Sequence, residues 1–80
     1  MLPPDVVDIG GAVRNARRRR GLLRSELGKL ARVSQSYLCE IEAGDTVPSV
    51  PRLQAIAAAL GVKLSRIIKE AEIIGGKAEG

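Results

Sequence analysis

Three glycines, Gly21, Gly44 and Gly61, each close a short stretch in which apolar residues recur at helical spacing. Glycine just past a helix end takes the left-handed conformation that closes it at little cost. The chain is therefore cut into short helices with tight links, and no stretch shows the two-residue alternation of a strand. Asp8 stands as N-cap of a first helix over 9–20, with Ile9, Val13 and Ala16 on one stripe. A second helix over 24–31 carries Leu27, Leu30 and Ala31. Leu23 stands where a capping Ser or Thr is favoured, although Glu26 keeps the N3 position of a capping box. Ser34 caps a third helix over 35–43: Leu38 and Ile41 point in with Tyr37 beside them, and Gln35, Ser36, Cys39, Glu40 and Ala43 point out. Ser49 caps a fourth, with Pro51 in the first turn, where a missing N–H does no harm. Its stripe is Leu53, Ile56, Ala57 and Leu60. A fifth begins at Leu64, repeats the spacing at Ile67, Ile68 and Ala71, and is expected to stop at Gly75-Gly76. The expectation is an all-α, compact five-helix domain over 8–74, between an irregular arm, 1–7, and a disordered tail, 75–80.

Length and composition narrow the function. Eighty residues, 45% of them apolar, make one domain with a small core. There is no histidine and one cysteine. This removes histidine acid–base catalysis, Ser-His and Cys-His nucleophile pairs, internal disulfides and multi-cysteine zinc sites. Tyr37 is the sole aromatic residue, which excludes a stacking platform for single-stranded nucleic acid. The longest apolar run, 55–60, is far too short for a membrane span, and the first twenty residues hold no signal-peptide stretch. Gly10-Gly11 lacks the spacing and preceding strand of a phosphate-binding loop. These features predict an intracellular domain that is not an enzyme and needs no metal or cofactor.

The charge is unevenly placed. Arg14, Arg17, Arg18, Arg19, Arg20, Arg24, Lys29 and Arg32 face only one acid in that stretch, Glu26, for a local balance of +7. The other five basic and eight acidic residues leave the rest at −3. Such asymmetry favours a polyanion, while an isolated arginine run is equally consistent with a solvated helix face. A membrane-surface helix would need bulkier apolar residues than Val13 and Ala16. The second and third helices, joined by the turn 31–34, are the organising unit. The third has small and polar residues at its exposed N-terminal end, which suits a helix laid in the DNA major groove.

Gly21-Leu22, Glu26-Leu27, the run 33–38, Ile41-Glu42-Ala43-Gly44, Pro48-Ser49 and the run 57–62 together resemble the Cro/C1-type, or XRE, helix-turn-helix regulators. The resemblance covers roughly 9–68 and implies a lambda-repressor-like fold. It implies base reading by Gln35, Ser36 and Glu40, with Cys39 on the same face. Gln35 suits adenine, Glu40 accepts from a cytosine amine, and Ser36 donates or accepts. Cys39 either touches a thymine methyl or nothing, or forms an oxidation-sensitive point. Arg24, Ser34, Tyr37, Arg52 and Arg20 fall among the implied phosphate contacts, and Tyr37 can instead pack at the domain rim. Arg17 and Glu42 are implied to form a buried structural ion pair.

Four positions depart from the family pattern. Arg32 stands where a glycine with positive φ is usual, Gly28 replaces an alanine, Leu23 replaces a polar cap, and Asp45 sits where a cation is common. Apolar residues beyond the needs of the core suggest a homodimer, with Ile67, Ala71 and Ile74 as interface candidates. The resulting expectation is a sequence-specific double-stranded DNA-binding regulator. It would act as a dimeric repressor on a pseudo-palindromic operator, in the cytoplasm of a bacterium or phage host, without a small-molecule site. The competing class is a helix-turn-helix protein-interaction module, favoured by Asp45, Leu23 and Leu30.

Overall fold

The computed structural model describes the backbone of residues 7–79 and the side chains of 7–74. Among them are five α-helices, α1 (Ile9–Arg19), α2 (Arg24–Ala31), α3 (Gln35–Ala43), α4 (Val50–Leu60) and α5 (Leu64–Glu79), and no strand. Residues 1–6 of the expected arm, and Gly80, lie outside the described residues; Val7 and Asp8 form no regular element. The helix ends follow from local chemistry. Asp8 Oδ1 accepts from the Gly11 N–H at 2.9 Å, Ser34 Oγ from Tyr37 at 3.0 Å and Ser49 Oγ from Arg52 at 3.4 Å. Each satisfies one of the free donors at a helix start. At α2 only half of a capping box forms: the Leu23 N–H donates to Glu26 Oε1 at 2.8 Å, and leucine has no acceptor to return the bond. Gly21, Gly44 and Gly61 have φ of +70°, +83° and +72°.

The core draws on every helix: Ile9, Ala12, Val13 and Ala16 from α1, Leu27 and Ala31 from α2, Leu38 and Ile41 from α3, Leu53, Ile56, Ala57 and Leu60 from α4, Ile67 and Ala71 from α5. α1 is central, packing against α3, α4 and α5, while α2 and α3 pack on each other and α2 on α4. Ile67 and Ala71 are thus core residues and are not available to a partner chain, which corrects the dimer assignment made from sequence. The reason is geometric: Ile67, Ala71 and half-buried Ile74 share one stripe, and α5 turns that stripe onto α1 and α4. Ile68, placed on the inner stripe by spacing alone, is exposed, as is Ile73.

The expected stop at Gly75-Gly76 does not occur, and α5 continues to Glu79. A glycine inside a helix costs only about 1 kcal/mol, and it ends one when it takes positive φ, as Gly21, Gly44 and Gly61 do. Two other glycines serve close approach. Gly10 in α1 is buried, and a Cβ there would fall on the Ile41 carbonyl oxygen, 3.1 Å from Glu42 Cα.

Arg32 ends α2 in the left-handed conformation, φ +59° and ψ +43°. For an L-residue with a Cβ this costs about 1–2 kcal/mol. Arg32→Gly is expected to raise stability by about 1 kcal/mol, since part of the relief is offset by glycine's larger unfolded-state entropy. For a domain of this size that is a rise in Tm of about 4–8 °C. An unchanged or lower Tm would contradict a strained turn.

Candidate nucleic-acid interface

The α2–turn–α3 unit is built on the second close approach. The turn chain runs over Gly28: its carbonyl accepts from the Val33 N–H at 2.9 Å, and a Cβ on Gly28 would come 2.7 Å from the Val33 carbonyl oxygen. An alanine here would push on main chain, so the departure at Gly28 serves packing and is not only a loss of helix propensity. Leu38 and Ile41 are fully buried and anchor α3 to the core. Helical periodicity then turns the opposite face outward, and Gln35, Ser36, Cys39 and Glu40 are all exposed.

Two arginines stand in the first turns of the helices on either side of α3 in the chain. Arg52, in the first turn of α4, lies over the Tyr37 ring at 5.2 Å from its centroid, and Tyr37 is half-buried. The stack ties the start of α4 to the start of α3 by a cation–π contact. Ala31, Val33, Ser34, Tyr37 and Arg52 line a shallow depression between the two helix starts. Arg24 opens α2 and is half-buried. Arg20 does not join these groups. Its guanidinium lies about 3.6 Å from where a Gly61 Cβ would stand, at the C-terminal end of α4, whereas Arg52 is at the other end.

Behind the face lies a buried charge cluster. Arg17 and Glu42 are brought together: Arg17 Nε donates to Glu42 Oε2 at 2.8 Å and Nη2 to Oε1 at 3.0 Å, while Nη1 donates to the Leu22 carbonyl at 2.8 Å. Sequence reasoning missed a third member. Arg24 Nε also donates to Glu42 Oε1, at 3.0 Å. Burial alone would push the Glu42 carboxyl up, but the hydrogen bonds and charges of both arginines hold it below its ordinary value near 4.5. Arg19 and Glu70 form a second two-pronged pair, at 2.7 and 3.0 Å, exposed and screened by solvent. Glu70 is lowered by its Arg19 hydrogen bonds. No local pattern marks either link, because 18 and 51 residues separate the partners.

Both carboxyls bind protons more weakly in the fold than in the unfolded chain, so acid favours unfolding. Their stabilisation is complete above about pH 4.5 and is lost as pH falls through the lower folded values. Melting temperature is expected to be level down to about pH 5 and to drop below it. A Tm that held or rose on further acidification would contradict this electrostatic arrangement.

Among the described residues no group of acidic, cysteine or histidine side chains is placed to hold a metal, and no helix is long and apolar enough to cross a membrane. A helix-turn-helix family model, HTH_3, matches residues 13–67. The transcriptional regulator ClgR of Mycobacterium tuberculosis is 41% identical over 63 residues, covering 79% of this chain and 56% of that protein. The immunity repressor protein of Bacillus phage phi105 is 36% identical over 66 residues, covering 82% of this chain and 46% of that protein. The chain thus spans about half the length of the curated relatives it matches. A crystal structure of the clp gene regulator ClgR from Corynebacterium glutamicum is similar with a TM-score of 0.82 at 31% identity, over 90% of this chain and 80% of that one.

Proposed function

From a chain that belongs to the HTH_3 helix-turn-helix family, we propose a sequence-specific double-stranded DNA-binding regulator, acting as a repressor by occupying its operator. The observation that carries this reading is the exposed outer face of α3: Gln35, Ser36, Cys39 and Glu40 stand clear of the core on a helix anchored from behind by Leu38 and Ile41. A helix enters the major groove in this way, and polar side chains near its start reach base edges. Gln35, Ser36 and Glu40 read bases, with Cys39 beside them, and Arg24, Ser34, Tyr37 and Arg52 set the register on phosphates. The relatives named as repressor and transcriptional regulator support the same reading.

The partner chain in this reading is a second copy. Exposed Ile73 and half-buried Ile74 on α5 support an interface there. A dimer would set two α3 helices about 34–36 Å apart, one DNA turn.

The test separates reading from attraction. Gln35→Ala combined with Glu40→Ala is expected to abolish preference for a selected site over random duplex, at about 1–3 kcal/mol per lost base contact. Both side chains are exposed, so Tm should stay within about 2–4 °C of the wild type. The slope of log affinity on log salt should be unchanged, since phosphate contacts remain. Preference that survived the double replacement would overturn the assignment of α3.

A further inference from the structure

We infer that Glu42 is a positioning residue for DNA-backbone recognition, acting through Arg24; this rests on the DNA-binding reading above. Arg17 engages all three of its nitrogens, and its side chain is only 10% exposed. Arg24 differs. Only its Nε is engaged, among the described residues its Nη atoms have no hydrogen-bond partner, and its side chain is 40% exposed. A guanidinium held along its Nε edge keeps its Nη end available for an oxygen arriving from outside.

The charges agree with this division. Arg17 and Glu42 neutralise one another, so Arg24 is the surplus cation of the cluster. Glu42 therefore fixes the direction of Arg24 without cancelling the charge that a phosphate would meet. A long side chain already ordered in the free protein loses less freedom when it binds. Arg24 also stands at the first position of α2, where backbone N–H groups favour an anion. The ligand chemistry is thus a phosphodiester oxygen of duplex DNA beside the start of α2. Arginine suits the position because a lysine ammonium bound to Glu42 has no second planar end to present.

The experiment uses a generic 30-base-pair duplex, since a backbone contact carries no sequence information. Four proteins are compared, wild type, Arg24→Gln, Glu42→Gln and the double variant, with affinity measured on folded protein as judged by circular dichroism. Simple electrostatics expects Glu42→Gln to bind DNA more tightly, because a negative charge is lost. Positioning expects the reverse: about 3- to 10-fold weaker binding, the size of one ordinary net hydrogen bond and less than a whole charged one, because Arg24 itself remains. Arg24→Gln should weaken binding about tenfold and lower the salt slope by about 0.9. In the Arg24→Gln background, Glu42→Gln should weaken binding no further. If Glu42→Gln fails to fold, Arg24→Lys decides: positioning expects a loss close to that of Arg24→Gln, although the charge is kept. Glu42→Gln binding as tightly as wild type or tighter, or Arg24→Lys matching wild type, would overturn the positioning role alone. A wild-type protein that does not bind duplex would overturn the DNA reading along with it.

Discussion

Glu42→Ala is expected to cost about 5 kcal/mol or more, a large share of the domain's stability, and to be more damaging than Arg17→Ala. Removing one member of a buried ion pair costs about 3–5 kcal/mol, because the other charge is left without compensation. The cluster here has three members, which makes the two substitutions unequal. Arg17→Ala leaves Glu42 its bond to Arg24, so its cost belongs at the lower end of that range. Glu42→Ala strands two guanidiniums at once, one of them almost fully buried. The total stability of a domain of this length is about 4–12 kcal/mol. Thermal melts followed by circular dichroism check both size and order. A Tm for Arg17→Ala equal to wild type, or Arg17→Ala melting below Glu42→Ala, would contradict the account of the cluster.

Gly10→Ala is expected to lower stability by about 2 kcal/mol or more, opposite in sign to what helix propensity alone dictates. Alanine is favoured over glycine in a helix interior by about 1 kcal/mol. Against this, the new Cβ would overlap the Ile41 carbonyl oxygen and press on Glu42 Cα. These are main-chain atoms, so no rotamer change relieves the contact; α1 and α3 must move apart. Overpacking costs about 1–3 kcal/mol, occasionally more, and a backbone contact belongs at or beyond the top of that range. The expected fall in Tm is about 10 °C. The displacement also disturbs Glu42, so DNA affinity of the folded fraction should fall with it. A Tm equal to or above wild type would show that α1 and α3 do not approach as closely as the structure has them.

The fold was legible because its signals are local. Asp8, Ser34 and Ser49 mark helix starts, Gly21, Gly44 and Gly61 mark ends, and each stripe lies within one helix. The same locality explains the misreadings. Spacing places Ile67, Ile68 and Ala71 on neighbouring positions, but it does not say which neighbour is covered by α1 and which faces water. Gly75-Gly76 looks like Gly21 or Gly61 in sequence and differs only in backbone conformation. Gly10 showed nothing beyond a missing side chain, since its purpose lies in a helix 31 residues away. At the candidate site, the outward set Gln35, Ser36, Cys39 and Glu40 followed from helical period alone. The link from Glu42 to Arg24 did not, because nothing in the chain between them reports that the two meet. Arg20, grouped with the phosphate contacts by its charge, belongs with Gly61 by its position.

Selection of bound sites from random duplex DNA at about 0.15 M salt decides whether α3 reads sequence, since non-specific phosphate attraction is weak there. The expected result is an enriched pseudo-palindrome with half-sites about one helical turn apart, about 10–10.5 base pairs centre to centre. Its enrichment should vanish when Gln35 and Glu40 are both replaced by alanine. Weak, salt-sensitive binding with no enriched sequence would contradict sequence reading by α3 and leave its exposed face as a surface for a protein.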